Sequence, residues 1–311
     1  MSKARRFNRE VDGILLLDKP LGLSSNAALQ RARGLFGAIK AGHAGSLDPL
    51  ASGLLPICFG QATKVCGRLL EASKTYVVDV QLGARTESLD GETEVIERAP
   101  VPELSAEHVD SVLSSFMGEQ QQVPPMHSAL KYQGKRLYEL ARRGESVDRP
   151  ARQITIYSIR RLAFEADRLE FEVECSKGTY IRSLAADIAA RLGTLGYLVG
   201  LRRVSVDPFG SHPMHTFEAL EEKSREGHAG LDGFLLPADT AFGELRTLYL
   251  PEGPLQLFLL GQAVAVESGA EIGATVRTYD AEGRFLGLAE IRSDGRVQPV
   301  RLFVGAQAAG A

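Results

Sequence analysis

Between Leu169 and Cys175 the chain alternates an apolar residue with a glutamate at every step: Leu169, Phe171, Val173 and Cys175 against Glu170, Glu172 and Glu174. A helix would scatter these two sets around its circumference. A strand separates them, four apolar groups to one face and three carboxylates to the other. Thr75 to Gly83 repeats the pattern, with Tyr76, Val78, Val80 and Leu82 on one face and Val77, Asp79 and Gln81 on the other. Two such segments require a sheet with one covered face, and the chain supplies covering helices. Ser24 and Ser25 are N-cap candidates for a helix running through Leu35 and stopping near Gly37. Further helices are expected over Gln61 to Glu71, over Ala106 to Phe116, and after SKGTYIR (176–182) in the stretch SLAADIAARLG. Ile14 to Leu17 reads as a buried strand ended by the turn Lys19-Pro20-Leu21-Gly22. From about residue 248 short strands alternate with the turn pairs Glu282-Gly283 and Asp294-Gly295, which marks 248–305 as a separate small β domain with a frayed tail, GAQAAGA.

Composition excludes several classes. At 44% hydrophobic and 24% charged residues the chain can build a core and is not a disordered tract. No apolar run approaches the roughly 20 residues that span a bilayer. The basic, polar start is followed by Ile14 to Leu17 and then at once by Asp18, Lys19 and Pro20, so no signal peptide is expected and a cytoplasmic location follows. Cys58, Cys66 and Cys175 lie far apart without zinc-site spacing and are expected to be buried thiols. The net charge of −3 argues against nucleic acid as a partner, but its distribution argues the other way. Residues 121–160 hold eight basic side chains against three acidic ones, among them Lys131, Lys135, Arg136, Arg142 and Arg143. Such a run is either a solvated face or an electrostatic footprint for a polyanion.

The most pointed chemical signal is Asp48 within GHAGSLDPLASG (42–53), a stretch read as an ordered loop. A carboxylate in a glycine-rich loop, followed by a proline, can serve as a nucleophile or general base. It can equally be the start of an Asx-turn or a helix cap. There is no phosphate-cradling loop, dinucleotide fingerprint or metal-ligand spacing beside it, so neither cofactor nor metal is expected.

Several long segments together resemble the bacterial tRNA pseudouridine synthase B family, the tRNA pseudouridine-55 synthases. These are GILLLDKPLGLSSN (13–26), GHAGSLDPLASGLLPICFGQATK (42–64), KTYVVDVQLGARTESLD (74–90), PPMHSALKYQGKRLYELARRG (124–144), CSKGTYIRSLAADIA (175–189) and LRRVSVDPF (201–209). The resemblance covers roughly 13–210 and continues more weakly into the β domain. Ser46 and Ser52 stand where threonine is commoner in the family, and both keep the hydroxyl.

The resemblance implies an α+β fold: a mixed, mainly antiparallel sheet flanked by helices in a catalytic domain (1–247). A small β-barrel-like, PUA-like RNA-binding domain follows (248–311). It implies that uridine 55 in the TΨC loop of tRNA is isomerised to pseudouridine without a cofactor. Asp48 would attack the ribose C1′ or the uracil C6, or assist glycosidic cleavage. Arg182 would pair with Asp48 and keep it ionised. Without a partner, a cation there would oppose the macrodipole of the helix it begins. Tyr76, otherwise a core tyrosine, would stack on the flipped-out base, and Tyr180 and Leu201 would line the uracil pocket. His43, otherwise a loop histidine capping backbone groups, would hold the altered RNA loop. Residues 121–153 would form a mobile arm on the RNA backbone through Lys131, Lys135, Arg136, Arg142 and Arg143, with Lys19 and Lys64 as further backbone contacts. The implied partner is the T arm of tRNA, with no membrane and no obligate protein. Two other readings stand beside this one. One is a non-catalytic tRNA-binding protein on the same scaffold; the other is an aspartyl-nucleophile hydrolase or phosphotransferase.

Overall fold

The computed structural model describes residues 7–128, 130–141 and 143–303, apart from the side chains of Lys131, Arg136 and Tyr138. The basic first residues, Ala129, Arg142 and the C-terminal tail lie outside the described residues.

The chain opens with strand β1 (Gly13–Lys19) and helix α1 (Ser25–Phe36). Ser24 is the N-cap, accepting the Ala27 N–H, and Gly37 closes the helix by returning its N–H to the Arg33 carbonyl. Strands β2 (Ala41–His43) and β3 (Ala51–Phe59) follow, so only 44–50 of the glycine-rich stretch is loop. The expected helix at 61–71 is two pieces, a 3₁₀ segment (Gly60–Val65) and α2 (Cys66–Glu71). Next come β4 (Lys74–Leu82), the small pair β5 (Ala84–Thr86) and β6 (Val95–Arg98), α3 (Ala106–Ser114) and β7 (Gly118–Gln122). The basic segment carries the short hairpin β8 (Lys131–Tyr132) and β9 (Lys135–Arg136) and one helical turn, α4 (Leu137–Ala141). Strands β10 (Arg152–Glu165) and β11 (Arg168–Cys175), helix α5 (Ile181–Arg191) and β12 (Gly196–Val206) complete the core elements. Helices α6 (Phe217–Ser224) and α7 (His228–Asp232) and strand β13 (Leu235–Leu236) lead to the C-terminal part.

Nine strands form one sheet in the order β13-β1-β3-β12-β4-β11-β10-β7, with β2 added beside β3. All pairs are antiparallel except β3 with β12, where Leu201, Arg202 and Arg203 lie opposite Ala51, Ser52 and Gly53. The alternating segments behave as their pattern demands. Val78, Val80, Leu169, Phe171 and Val173 are fully buried and pack on α3 and α5. Burying a side chain such as Phe171 is worth about 2–3 kcal/mol. The opposite face carries its charges in pairs, including Arg160 with Glu172 at 2.8 Å and Arg168 with Asp79. A second core lies under α1 and α6. Tyr76 and Leu201 pack against both cores and stand at their seam.

The C-terminal part is a four-stranded sheet of β14 (Thr247–Tyr249), β15 (Thr275–Tyr279), β16 (Phe285–Ile291) and β17 (Val297–Leu302), with Val264 bridging to Val297 beyond the edge. Both expected turn pairs join its hairpins. Helix α8 (Glu252–Leu259), which the strand-and-turn reading omits, places Phe258 in its core. Lys64 belongs to the junction with this sheet: its Nζ donates to the Leu302 carbonyl at 2.6 Å, and Arg301 donates back to the Lys64 carbonyl at 2.8 Å. Its ammonium, partly exposed, thus helps to fasten the two parts together. No helix among the described residues is long and apolar enough to cross a membrane.

Candidate active site

The loop 44–50 is tied down despite Gly45, because neighbouring elements bind the backbone of most of its residues. The Ala44 N–H donates to Pro56 of β3, and the Ala51 N–H closes back onto the Asp48 carbonyl at 3.0 Å. Ser25, in the first turn of α1, grips Leu47 twice: its Oγ accepts the Leu47 N–H at 2.7 Å and donates to the Leu47 carbonyl at 3.0 Å. The turn after β1 reaches over as well, with the Gly22 N–H on the Pro49 carbonyl at 2.8 Å. These bonds leave the Asp48 side chain as the projecting group, 52% exposed.

Arg182 faces it from the first turn of α5. Its Nη2 lies 3.2 Å from Asp48 Oδ2 and donates to the His127 carbonyl at 2.6 Å; Nη1 donates to the Ser88 carbonyl and lies 3.2 Å from Asp90 Oδ2. The Arg182 side chain is 10% exposed and that of Asp90 2%. A cation at a helix N-terminus is disfavoured by the macrodipole. Here a buried carboxylate and two carbonyls offset that cost. Asp90 is itself fixed, accepting the Ser88 hydroxyl and the Glu92 N–H. Sequence reasoning misses Asp90, although it ends one of the segments that carry the family resemblance; no spacing rule ties it to residue 182.

Tyr76 is the direct cross-strand partner of Arg203, and Leu201 that of Val78. Arg203 is the charged group that acts most on the Tyr76 hydroxyl. Burial pushes its ionisation up, nearby Asp48 adds to this, and Arg203 opposes it. Tyr180 is the N-cap of α5, and its backbone N–H and carbonyl are both held by the buried side-chain amide of Gln122, at 2.8 and 3.1 Å. His43 ends β2 at the root of the loop. Burial, and then the charge of Arg203, hold its pKa below the usual histidine value. Its Nδ1 is buried without a hydrogen-bond partner.

The residues expected at the site therefore divide. Asp48 and Arg182 form an ion pair, Tyr76 lies close enough to Asp48 to feel its charge, Leu201 shares the seam with Tyr76, Tyr180 caps the helix that carries Arg182, and His43 anchors the loop. Lys19 does not lie on an RNA-facing surface. It is fully buried, its Nζ donating to the carbonyls of Pro20 and Leu23. Burial lowers its pKa, Asp48 raises it, and Arg203 lowers it further. It is a pin for the turn that abuts the loop, which corrects its assignment as a backbone contact. Lys135 and Arg143 are exposed. Lys131 and Arg136 lie on the β8–β9 hairpin, whereas Arg142 falls outside the described residues. Leu137, Leu140 and Ala141 of α4 are buried, so the basic segment is docked through apolar groups in this conformation. No group of three or more metal-ligating side chains occurs among the described residues. A projecting carboxylate beside a buried guanidinium and an aromatic wall can serve nucleophilic or base chemistry on a planar substrate.

Comparison with known proteins places this arrangement. Residues 33–181 match the N-terminal domain of the TruB family of pseudouridylate synthases, 182–243 the C-terminal domain of tRNA pseudouridylate synthase B, and 247–303 the C-terminal domain of pseudouridine synthase II TruB. The chain belongs to the TruB family of pseudouridylate synthases. It is 47% identical to tRNA pseudouridine synthase B of Chromohalobacter salexigens, covering 96% of each chain, and 46% identical to that of Pseudomonas fluorescens, covering 97% of this chain and 99% of the relative. The same fold occurs in a crystal structure of a Cbf5-Nop10-Gar1 complex (TM-score 0.72, 24% identity, 95% of this chain and 86% of the other). It occurs again in an H/ACA RNP bound to a substrate RNA containing 2′-deoxyuridine (TM-score 0.71, 22% identity, 94% and 85%).

Proposed function

We propose that this protein is a tRNA pseudouridine(55) synthase that isomerises uridine 55 in the TΨC loop, with Asp48 as the catalytic carboxylate. The observation that carries the reading is the half-exposed Asp48 carboxylate set against buried Arg182 beside Tyr76, in a chain that aligns almost end to end with relatives of that name. In the reaction the N1–C1′ bond breaks, the base turns, and a C5–C1′ bond forms. C5 gives up its hydrogen as a proton, and N1 takes one up. Atoms and electrons balance within the nucleotide, so the chemistry calls for no cofactor.

Each residue then has a task. The target uridine must leave its stack before its glycosidic bond can be reached. Tyr76 stacks on the flipped base, with Leu201 and Tyr180 completing the pocket. Arg182 fixes the Asp48 carboxylate, and His43 supports the RNA loop from which the base has left. Lys135 and Arg143, with Lys131, Arg136 and Arg142, hold phosphates, which gives affinity without sequence reading. We divide the chain into a catalytic unit, 1–247, and an RNA-holding unit of PUA type, 248–311. The separate core around Leu248, Leu250 and Phe258 supports this division. The enzyme acts in the cytoplasm on the T arm of tRNA, without an obligate protein partner.

Tritium release from tRNA labelled at uridine C5 tests the reading, because new bonding at C5 expels that hydrogen. Wild type should release it, and Asp48→Asn should lower the rate at least about a thousandfold, equivalent to about 4 kcal/mol, while still binding tRNA. Binding without release by either protein would leave only an RNA-binding role.

A further inference from the structure

Arg203 is the largest side chain buried to this depth, at 1% exposure, and the reaction as described gives it no task. It sits on β12 between two strands that matter, with Gly53 of β3 on one side and Tyr76 of β4 on the other. Its Nε donates to the Leu54 carbonyl at 2.7 Å, and its Nη2 donates to the Gly45 carbonyl at 2.9 Å. Its backbone stands directly opposite Tyr76 across the β12–β4 pair. One planar fork therefore joins β3 to the loop three residues before Asp48, from the position facing the ring proposed to stack on the base.

The surrounding backbone is shaped to admit it. Gly53 has φ +96°, and a methyl group there would lie 2.2 Å from the Arg203 carbonyl oxygen. Gly45 has φ +77°, and a methyl group there would lie 3.2 Å from Arg203 Nη1. These two glycines of the Asp48 stretch thus allow the loop and the arginine to approach each other closely. A hydrophobic residue could fill this volume, but it could not hold two carbonyls in fixed relation.

We propose that Arg203 is a positioning residue that sets Asp48 against the Tyr76 ring, by fastening the Gly45 carbonyl of the loop to the strand position directly opposite Tyr76. The proposal rests on the functional reading above, since the spacing matters only if Asp48 and Tyr76 meet the same nucleotide. Arg203 touches no substrate itself; its effect passes through the loop and the ring.

Three variants test it: Arg203→Lys, Gly45→Ala and the double variant. Each is assayed by C5-tritium release for kcat and KM on tRNA, by filter binding for Kd, and by thermal unfolding. Lysine keeps the charge but lacks the fork. Arg203→Lys should lower kcat by at least about tenfold, since misplacement by about 1 Å can cost a hundredfold. Kd should stay within about twofold, because uniform binding is untouched. Gly45→Ala crowds the same contact from the loop side, and its effect should be less than multiplicative with Arg203→Lys. A folded Arg203→Lys protein with wild-type kcat overturns the proposal, as does a loss seen wholly in Kd, or a multiplicative double variant. If Arg203→Lys does not fold, Gly45→Ala decides, and kcat within about twofold of wild type overturns the proposal. A wild type that binds tRNA without turnover overturns both readings; failure of the positioning idea alone leaves wild type active and Arg203→Lys its equal.

Discussion

The loop carrying Asp48 and the basic segment 130–145 are both rich in residues that usually signal irregular structure, yet they are held in opposite ways. The loop is fastened from outside: Ser25, Gly22, Pro56 and Arg203 each bind its backbone from a different element. The basic segment is fastened mainly to itself. Its described backbone bonds, such as Leu137 to Leu130 and Arg143 to Leu140, are local, and buried Leu137, Leu140 and Ala141 tie it inward. One region presents a single carboxylate at a fixed position. The other presents many charges over a broad surface. This is the difference between a group that must meet one bond and groups that must meet a backbone of phosphates. The contrast can be broken at several points, with effects that should decline in order.

The strongest break lies at Asp90. Removing one partner of a buried ion pair costs about 3–5 kcal/mol, because the other charge stays buried and uncompensated. Asp90→Ala should therefore lower stability by about that amount in urea unfolding, and it should free Arg182 from its set direction, so turnover should fall as well. A variant as stable as wild type would show that the two carbonyls on Arg182 suffice. Ser25→Ala comes next. It strips both hydrogen bonds from Leu47, beside Asp48, and leaves a buried N–H and carbonyl, at a cost of about 1–3 kcal/mol. Turnover should drop while tRNA affinity holds. Loss of affinity instead would mean that the loop grips RNA more than it aims a carboxylate.

The basic segment should respond in the reverse sense. Lys135→Ala with Arg143→Ala should weaken tRNA binding several-fold and reduce the slope of log affinity against log salt by about 0.7–0.9 for each phosphate no longer neutralised. Turnover at saturating tRNA should be unchanged. An unaltered salt slope would remove these two side chains from the RNA-binding surface.

How much of this contrast can be read in the sequence follows from its physical origin. The sheet is legible because its cause is local: each residue from 169 to 175 states which face it takes. The same holds for the cap at Ser24 and the turns at Gly283 and Gly295. Asp48 is a candidate by its glycine-rich setting and Arg182 by its place at a helix start, but only the family resemblance lifts them above a turn residue and a surface arginine. Asp90, Gln122 and Arg203 are illegible because their partners are tens of residues or more away, joined only by the sheet order. Lys19 is misread for a related reason. A lysine is assigned to the surface by habit, whereas this one ends a buried strand and spends its ammonium on two carbonyls of the next turn. Helix α8 is missed because the turn signals around it suggest strands.

The smallest effect concerns pH, and it probes the loop at its root. Burial, and then the Arg203 charge, hold the His43 pKa below 6.5, so the folded protein keeps this ring neutral where the unfolded chain takes up a proton. Between the two pKa values the unfolded state binds more protons, and stability falls as pH falls. The His43 contribution is complete at pH 7.5, begins to be lost near the unfolded value of about 6.5, and stops declining once His43 itself protonates in the fold. His215, also held low by burial, adds a slope of the same sign, so wild type alone cannot separate the two. His43→Asn can, since it removes one titration and leaves the other. Urea midpoints of both proteins from pH 7.5 to 5.5 should show the wild type losing more stability than the variant. Parallel curves would mean that His43 accepts its proton freely in the fold, and that the loop's root is wetter and less firmly held than the hydrogen bonds of 44–50 require.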